Sequence, residues 1–295
     1  LLSQKGISSI QILYTIRTPN VNGQEPPWLS EVWVCDADGN NGRQITFENH
    51  YAVHPKLIPN TNDFLYVSYR QGQPKIFRRP LNSDTSQAVI DLRGNQLLPA
   101  FSPNFDKMTF ISDAGGRPDL FLQYLDSNGQ NKGKPIQLFS LPRATQASSC
   151  FAPDGAKLAF VSDKDGTPRI YCIAIPQSYR HHKRPEAELL TYKNRQNVTP
   201  CWSSDGTKLA YSAKTDGIRQ IWIYDFNARE EWQLTKGPGN KENPAWAPDS
   251  LHIVYNTEDT QSSELYVINI NQKRPVKISD GPGRKRFPTW LPLKN

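Results

Sequence analysis

Pro99-Ala100-Phe101-Ser102-Pro103 is a phrase that this chain repeats. It returns as Ser149-Cys150-Phe151-Ala152-Pro153, Pro200-Cys201-Trp202-Ser203-Ser204, Pro244-Ala245-Trp246-Ala247-Pro248 and Pro288-Thr289-Trp290-Leu291-Pro292. A worn copy reads Pro55-Lys56-Leu57-Ile58-Pro59. The central residues Leu57, Phe101, Phe151, Trp202, Trp246 and Trp290 are separated by 44, 50, 51, 44 and 44 residues. Self-similarity at this period marks a propeller or solenoid.

Each copy brings its own strands. Seven and nine residues after the centre stand Phe64 and Tyr66, Met108 and Phe110, Leu158 and Phe160, Leu209 and Tyr211, Ile253 and Tyr255. That alternation puts both on one face of a second strand. Pro153-Asp154-Gly155 and Ser204-Asp205-Gly206 supply the intervening hairpin turns. A further aromatic follows twenty residues after the centre, at Phe77, Phe121, Tyr171, Trp222 and Tyr266, and sets a third strand in fixed register. Patches such as Gln233-Leu234-Thr235 and Lys277-Ile278-Ser279 close each unit as a fourth. Four short strands per repeat make a propeller blade. The two long intervals place insertions between third and fourth strands, at Asp126–Pro135 and Pro176–Glu186.

The ends complete one another. Trp290 is followed by only five residues, whereas Ile12, Tyr14, Val32-Trp33 and Gln44-Ile45-Thr46 match second, third and fourth strands that lack a first. The reading is an all-β, six-bladed β-propeller of PD40/WD40-like repeats, one domain over 1–295, closed by pairing of its N- and C-terminal strands, with no free edge at the seam. Blade 1 takes 9–46 plus 288–292; blades 2 to 6 take 53–91, 99–139, 149–191, 200–235 and 244–279.

Composition agrees. Among 295 residues there are 24 prolines, 18 glycines and one methionine, with 37% hydrophobic content and no apolar run that approaches a membrane span. This reads as a soluble, monomeric protein with no direct membrane insertion. The net charge is +7, and its one dense run, Tyr179-Arg180-His181-His182-Lys183-Arg184, reads as a solvated loop without the aromatic interleaving of nucleic-acid binding. Cys35, Cys150, Cys172 and Cys201 lack metal or redox spacing. Cys150 and Cys201 share a register in neighbouring blades and are expected to point in the same rotational sense, without facing each other. The chain opens Leu1-Leu2-Ser3, without a leader, so localisation is not read directly.

No Gly-x-Ser-x-Gly, His-Glu-x-x-His or phosphate-binding glycine loop occurs. Catalytic residues, metals and cofactors are therefore expected to be absent. His50 and His54 are the histidines placed near a central channel, and a metal-dependent lyase would need more of them. Asp163-Lys164-Asp165-Gly166 reads as a turn, since it lacks the further ligands of a calcium loop.

The scaffold offers a surface instead. Linkers from fourth to first strands ring one channel mouth, on the same end as the second-to-third hairpins. From them the expected contact residues are Tyr51, Asn95, Gln96, Thr145, Gln146, Ala147, Gln196, Asn197, Glu242, Asn243 and Arg286. Asn, Gln and Thr suit reversible hydrogen bonding, although Asn also simply makes turns. Trp28, on the proline-rich loop 17–30, joins that face as a contact residue or packs back over its blade.

The repeats at 99–124, 149–173, 200–226 and 244–270 resemble those of the TolB family, and Arg286-Phe287-Pro288-Thr289-Trp290-Leu291-Pro292 resembles that family's closing segment. Glu31-Val32-Trp33-Val34-Cys35-Asp36-Ala37-Asp38-Gly39 is similar to its first third-strand and turn. The resemblance implies a non-enzymatic scaffold of the periplasmic Tol–Pal envelope system that binds a peptidoglycan-associated lipoprotein at one channel mouth. It implies further Tol partners through an N-terminal domain absent from this sequence. It also adds Leu98 to the contact set, through the linkers Asn95–Leu98 and Gln146–Ser148. Because peptidase and lyase propellers share such repeats, the alternative is the propeller of an enzyme: a peptidase gating domain or a metal-dependent lyase.

Overall fold

The computed structural model describes residues 10–21, 25–58, 61–90, 92–176, 184–272 and 274–291. These form twenty-four strands in six four-stranded antiparallel sheets, with no helix among the described residues. The innermost strands are Ala52–Leu57, Gln96–Phe101, Gln146–Phe151, Asn197–Trp202, Asn240–Trp246 and Arg284–Leu291. Each packs on the next, and the last returns to the first, so the sheets form a closed ring of blades.

The expected closure is present. Arg284–Leu291 pairs with Gln11–Pro19, Trp290 opposite Ile12 and Arg284 opposite Arg17. Trp28–Asp36 and Arg43–Gln44 complete that first blade.

The aromatic register follows from strand geometry. The second- and third-strand aromatics lie directly opposite one another: Tyr14 and Trp33, Tyr66 and Phe77, Phe110 and Phe121, Phe160 and Tyr171, Tyr211 and Trp222, Tyr255 and Tyr266. Cross-strand aromatic pairs stabilise a sheet beyond their area burial. Six apolar clusters each fill the gap between adjacent blades; Tyr66, Phe110, Phe160, Tyr211 and Tyr255 are fully buried in five of them, and Tyr14 is buried in the sixth.

Fourth strands stop early for a chemical reason. In four blades an Ile or Leu followed by Thr or Ser ends the strand, and the hydroxyl accepts the next third-strand N–H. Val32 donates to Thr46 at 2.7 Å, Ile170 to Thr191 at 3.3 Å, Ile221 to Thr235 at 2.9 Å and Leu265 to Ser279 at 2.8 Å. Three of these hydroxyls then donate onward to Glu31, Gln220 and Glu264. A side chain thus satisfies a buried backbone donor that a longer ladder would otherwise take.

The insertion of blade 3 is ordered differently from the expectation of a loop. Asn131–Phe139 is strand, so residues 131–135 extend the fourth strand and only the turn at 126–130 lies outside it. In blade 4, residues 177–183 lie outside the described residues. Arg184 at their edge sits over the ring of Phe139 at 5.9 Å.

Candidate functional site

Every innermost strand carries a bulge at the repeated phrase, with one extra residue against its partner. In five blades the residue before the phrase's proline has a left-handed backbone: His54, Leu98, Thr199, Asn243 and Phe287, with φ of 52–54°. Blade 4 has Ser149 in place of proline, and Ser148 stands at the equivalent position. Bulges re-aim side chains. Here His54, Leu98, Ser148, Thr199, Asn243 and Phe287 all line one axial cavity of about 360 Å³. The sequence reading named His54, Leu98 and Asn243, and had Ser148 and Phe287 inside the linkers Gln146–Ser148 and Lys285-Arg286-Phe287 without singling them out; it missed Thr199, whose signal was the shared position before the proline.

The His54 ring lies 3.9 Å from that of Phe287. Its Nδ1 has no hydrogen-bond partner among the described residues, nor has Thr199 Oγ1. Burial, and then the charge of Lys56, push the His54 pKa down to about 3 from 6.5. The sign follows directly: in the acid range the unfolded chain takes up this proton before the folded one does. His54 therefore withdraws stability as pH falls from about 6.5 towards 3. Between pH 7 and 5 the wild type should lose about 2 kcal/mol more than His54→Gln, read from urea midpoints at each pH.

The mouth of this cavity is built by paired linkers and hairpins. Asp113 accepts from the Asn95 backbone at 2.7 Å and its amide at 2.6 Å. Asp163 holds Thr145 in the same way, at 2.6 and 2.7 Å. Lys214 N–H donates to the Gln196 carbonyl at 3.0 Å, and Tyr69 N–H to that of Tyr51 at 3.1 Å. Linkers and second-to-third hairpins therefore share one end. Ser30, at the base of the long first hairpin, joins them by donating to the His50 carbonyl at 2.9 Å.

Three expected contact residues do not belong to that surface. Gln96, Gln146 and Asn197 are buried at 0, 2 and 0% exposure. Gln96 donates to the carbonyls of Ile90 and Leu92, and Asn197 to that of Asn194. The same register holds Lys241, which donates to three linker carbonyls, and Lys285, which donates to that of Gly281. In blades 1, 3, 5 and 6 this column of donors ties the incoming linker down, whereas blade 2 has Ala52 in it and the Gln146 side chain of blade 4 makes no hydrogen bond among the described residues. Strand alternation turns the column inward, away from any partner.

The remaining set is half-buried or exposed: Tyr51, Asn95, Leu98, Thr145, Ala147, Gln196, Glu242, Asn243 and Arg286. Asn243 spends its amide on Asn256 at 2.8 Å. Trp28 is half-buried, with the Arg17 guanidinium 4.4 Å above its ring. A charged patch missed by the sequence reading adjoins it. Glu258 accepts from both Arg284 and Arg286, and burial together with Arg286 and Arg284 lowers the pKa of Arg17. Glu242, raised by burial, faces Arg219 at 3.5 Å.

Cys150 and Cys201 do meet, contrary to the rotational argument. The N–H of Trp202, next in the chain to Cys201, donates to Cys150 Sγ at 3.2 Å. Near the axis the innermost strands converge, which brings equivalent side chains of adjacent blades together. No group of three metal-ligating side chains occurs among the described residues.

A closed ring of six blades around a lined axial cavity, with linkers and hairpins paired at its mouth, defines a six-bladed β-propeller. The chain belongs to the TolB β-propeller domain family, whose model matches residues 1–294. It is 52% identical to the TolB homolog of Protochlamydia amoebophila over 82% of this chain and 53% of that protein. TolB from Acinetobacter baumannii shares its fold, with a TM-score of 0.81 at 24% identity over 98% of this chain and 68% of that one. A puromycin-hydrolysing peptidase of Mycobacterium tuberculosis also contains the fold, with a TM-score of 0.62 at 13% identity over 90% and 44% of the two chains. The chain spans about half the length of the curated relatives it matches.

Proposed function

We propose that this propeller is a non-enzymatic scaffold of the periplasmic Tol–Pal system that binds a peptidoglycan-associated lipoprotein over its linker mouth. Family membership supports the system, and the linker–hairpin pairing supports the face. Hydrogen bonds donated to Asp113 and Asp163 hold Asn95 and Thr145 in place before any partner arrives, which lowers the ordering cost of binding. Tyr51, packed edge-on against Tyr69 at 5.6 Å, and Arg286 are the aromatic and cationic groups best suited to anchor a partner. Further Tol proteins would be engaged outside this chain.

Titration calorimetry with the lipoprotein tests the reading. Tyr51→Ala combined with Arg286→Ala should weaken binding by about 2 kcal/mol or more, the cost of removing interface anchors. Neutralising Arg180, Lys183 and Arg184 should leave affinity nearly unchanged. The reverse pattern would put the partner at the other end. Gln96→Ala and Gln146→Ala are unsuitable probes, because both side chains are buried.

A further inference from the structure

Cys150 and Cys201 occupy one register position in adjacent innermost strands, just past the bulge, and both line the axial cavity. Cys150 Sγ accepts from the N–H of Trp202, the residue bonded to the Cys201 carbonyl, at 3.2 Å. Cys150 Sγ also lies 3.5 Å from the Phe151 carbonyl oxygen, and Cys201 Sγ 3.9 Å from that of Trp202. Lys56 holds the same register in blade 2 and lines the same cavity. Thiols that line a cavity shared with an ammonium group are in a setting where cysteines react.

We propose that Cys150 and Cys201 form a reactive dithiol that a small organic disulfide, entering the cavity, oxidises to a disulfide linking blades 4 and 5. The two sulfurs have distinct parts in this. The Cys150 thiol comes first among the causes that hold the Cys201 pKa down to about 7, with Lys56 adding to it against burial. Cys150 is raised by Cys201 and then by burial. In the exchange proposed, Cys201 is the attacking thiolate and Cys150 the resolving thiol. Cys201 Sγ attacks one sulfur of the organic disulfide, whose S–S bond breaks and expels one thiolate. Cys150 then gives its proton to solvent, attacks Cys201 Sγ and expels the second thiolate. Two protein thiols are oxidised by two electrons, and one organic disulfide is reduced to two thiols. Cys35 and Cys172 are buried, with pKa values raised to about 12 and 11, and serve as internal controls.

The probe is hydroxyethyl disulfide, added to the intact folded chain at neutral pH, followed by alkylation in denaturant and mass spectrometry. The wild type should lose two hydrogens, yield a peptide joining Cys150 to Cys201, and keep Cys35 and Cys172 alkylatable. Cys150→Ser should stop at a stable mixed disulfide on Cys201. Lys56→Met should slow the first step severalfold. Stable mixed disulfides on both cysteines of the wild type would overturn the proposal. So would a folded wild type that stays reduced while the denatured chain reacts, or Cys150 reacting at an undiminished rate in Cys201→Ser. The wild-type outcomes need no variant to fold.

Discussion

A chain that ends at Gly283 is expected to show no cooperative unfolding transition. It would lack the whole strand Arg284–Leu291, which closes blade 1 against Gln11–Pro19. That strand carries Trp290, 6% exposed, whose indole N–H donates to the Ala245 carbonyl of blade 6 at 2.9 Å. Trp290→Ala alone should cost about 3–5 kcal/mol through the cavity it leaves. Typical domain stability is about 5–15 kcal/mol, so losing the strand as well leaves little. Thermal melts followed by circular dichroism distinguish the outcomes. An unaltered melting temperature in the truncated chain would mean that the ring closes without this seam.

Lys285→Met is expected to cost about 3–5 kcal/mol, the usual penalty for stranding one member of a buried ion pair. Lys285 is 2% exposed, with its Nζ 3.3 Å from Glu264 Oε1 and 2.5 Å from the Gly281 carbonyl. Glu264 in turn accepts from Ser279, the hydroxyl that ends the fourth strand of blade 6. The loss therefore spreads from the linker into the neighbouring blade. Lys285→Met with Glu264→Leu should recover most of the loss in urea titrations, because no charge is then left buried alone. Costs that simply add would mean that the two groups act independently.

The fold was legible because its determinants are periodic. One aromatic per strand, at a constant offset, sets blade, register and seam together, and even the worn copy at Leu57 keeps its strand. The site was legible only in part. Gln96, Gln146 and Asn197 looked like a hydrogen-bonding rim, since composition does not say which way a polar side chain turns. The correcting signal lay in the same column: Lys241 and Lys285 are poor candidates for interchange with an amide at an interface, yet natural ones for donating to linker carbonyls. The thiol contact was hidden for another reason. Rotational equivalence describes directions, whereas contact near an axis depends on how closely the strands converge. The charged patch around Glu258 joins residues more than twenty-five positions apart in different blades, and no local pattern marks it.

The bulges have a consequence for anything that enters the cavity. Going round the ring from blade 1, the lining runs Phe287, His54, Leu98, then Ser148, Thr199, Asn243. The backbone repeats every sixth of a turn, but this lining repeats only after a full one. Half of the wall is aromatic or aliphatic, and the facing half is hydroxyl or amide. A peptide threaded along the axis would meet oil on one side and hydrogen-bonding groups on the other. A segment with one greasy and one polar edge thus has a single favoured angle of entry, like a key with a notch, inside a barrel whose frame would accept six.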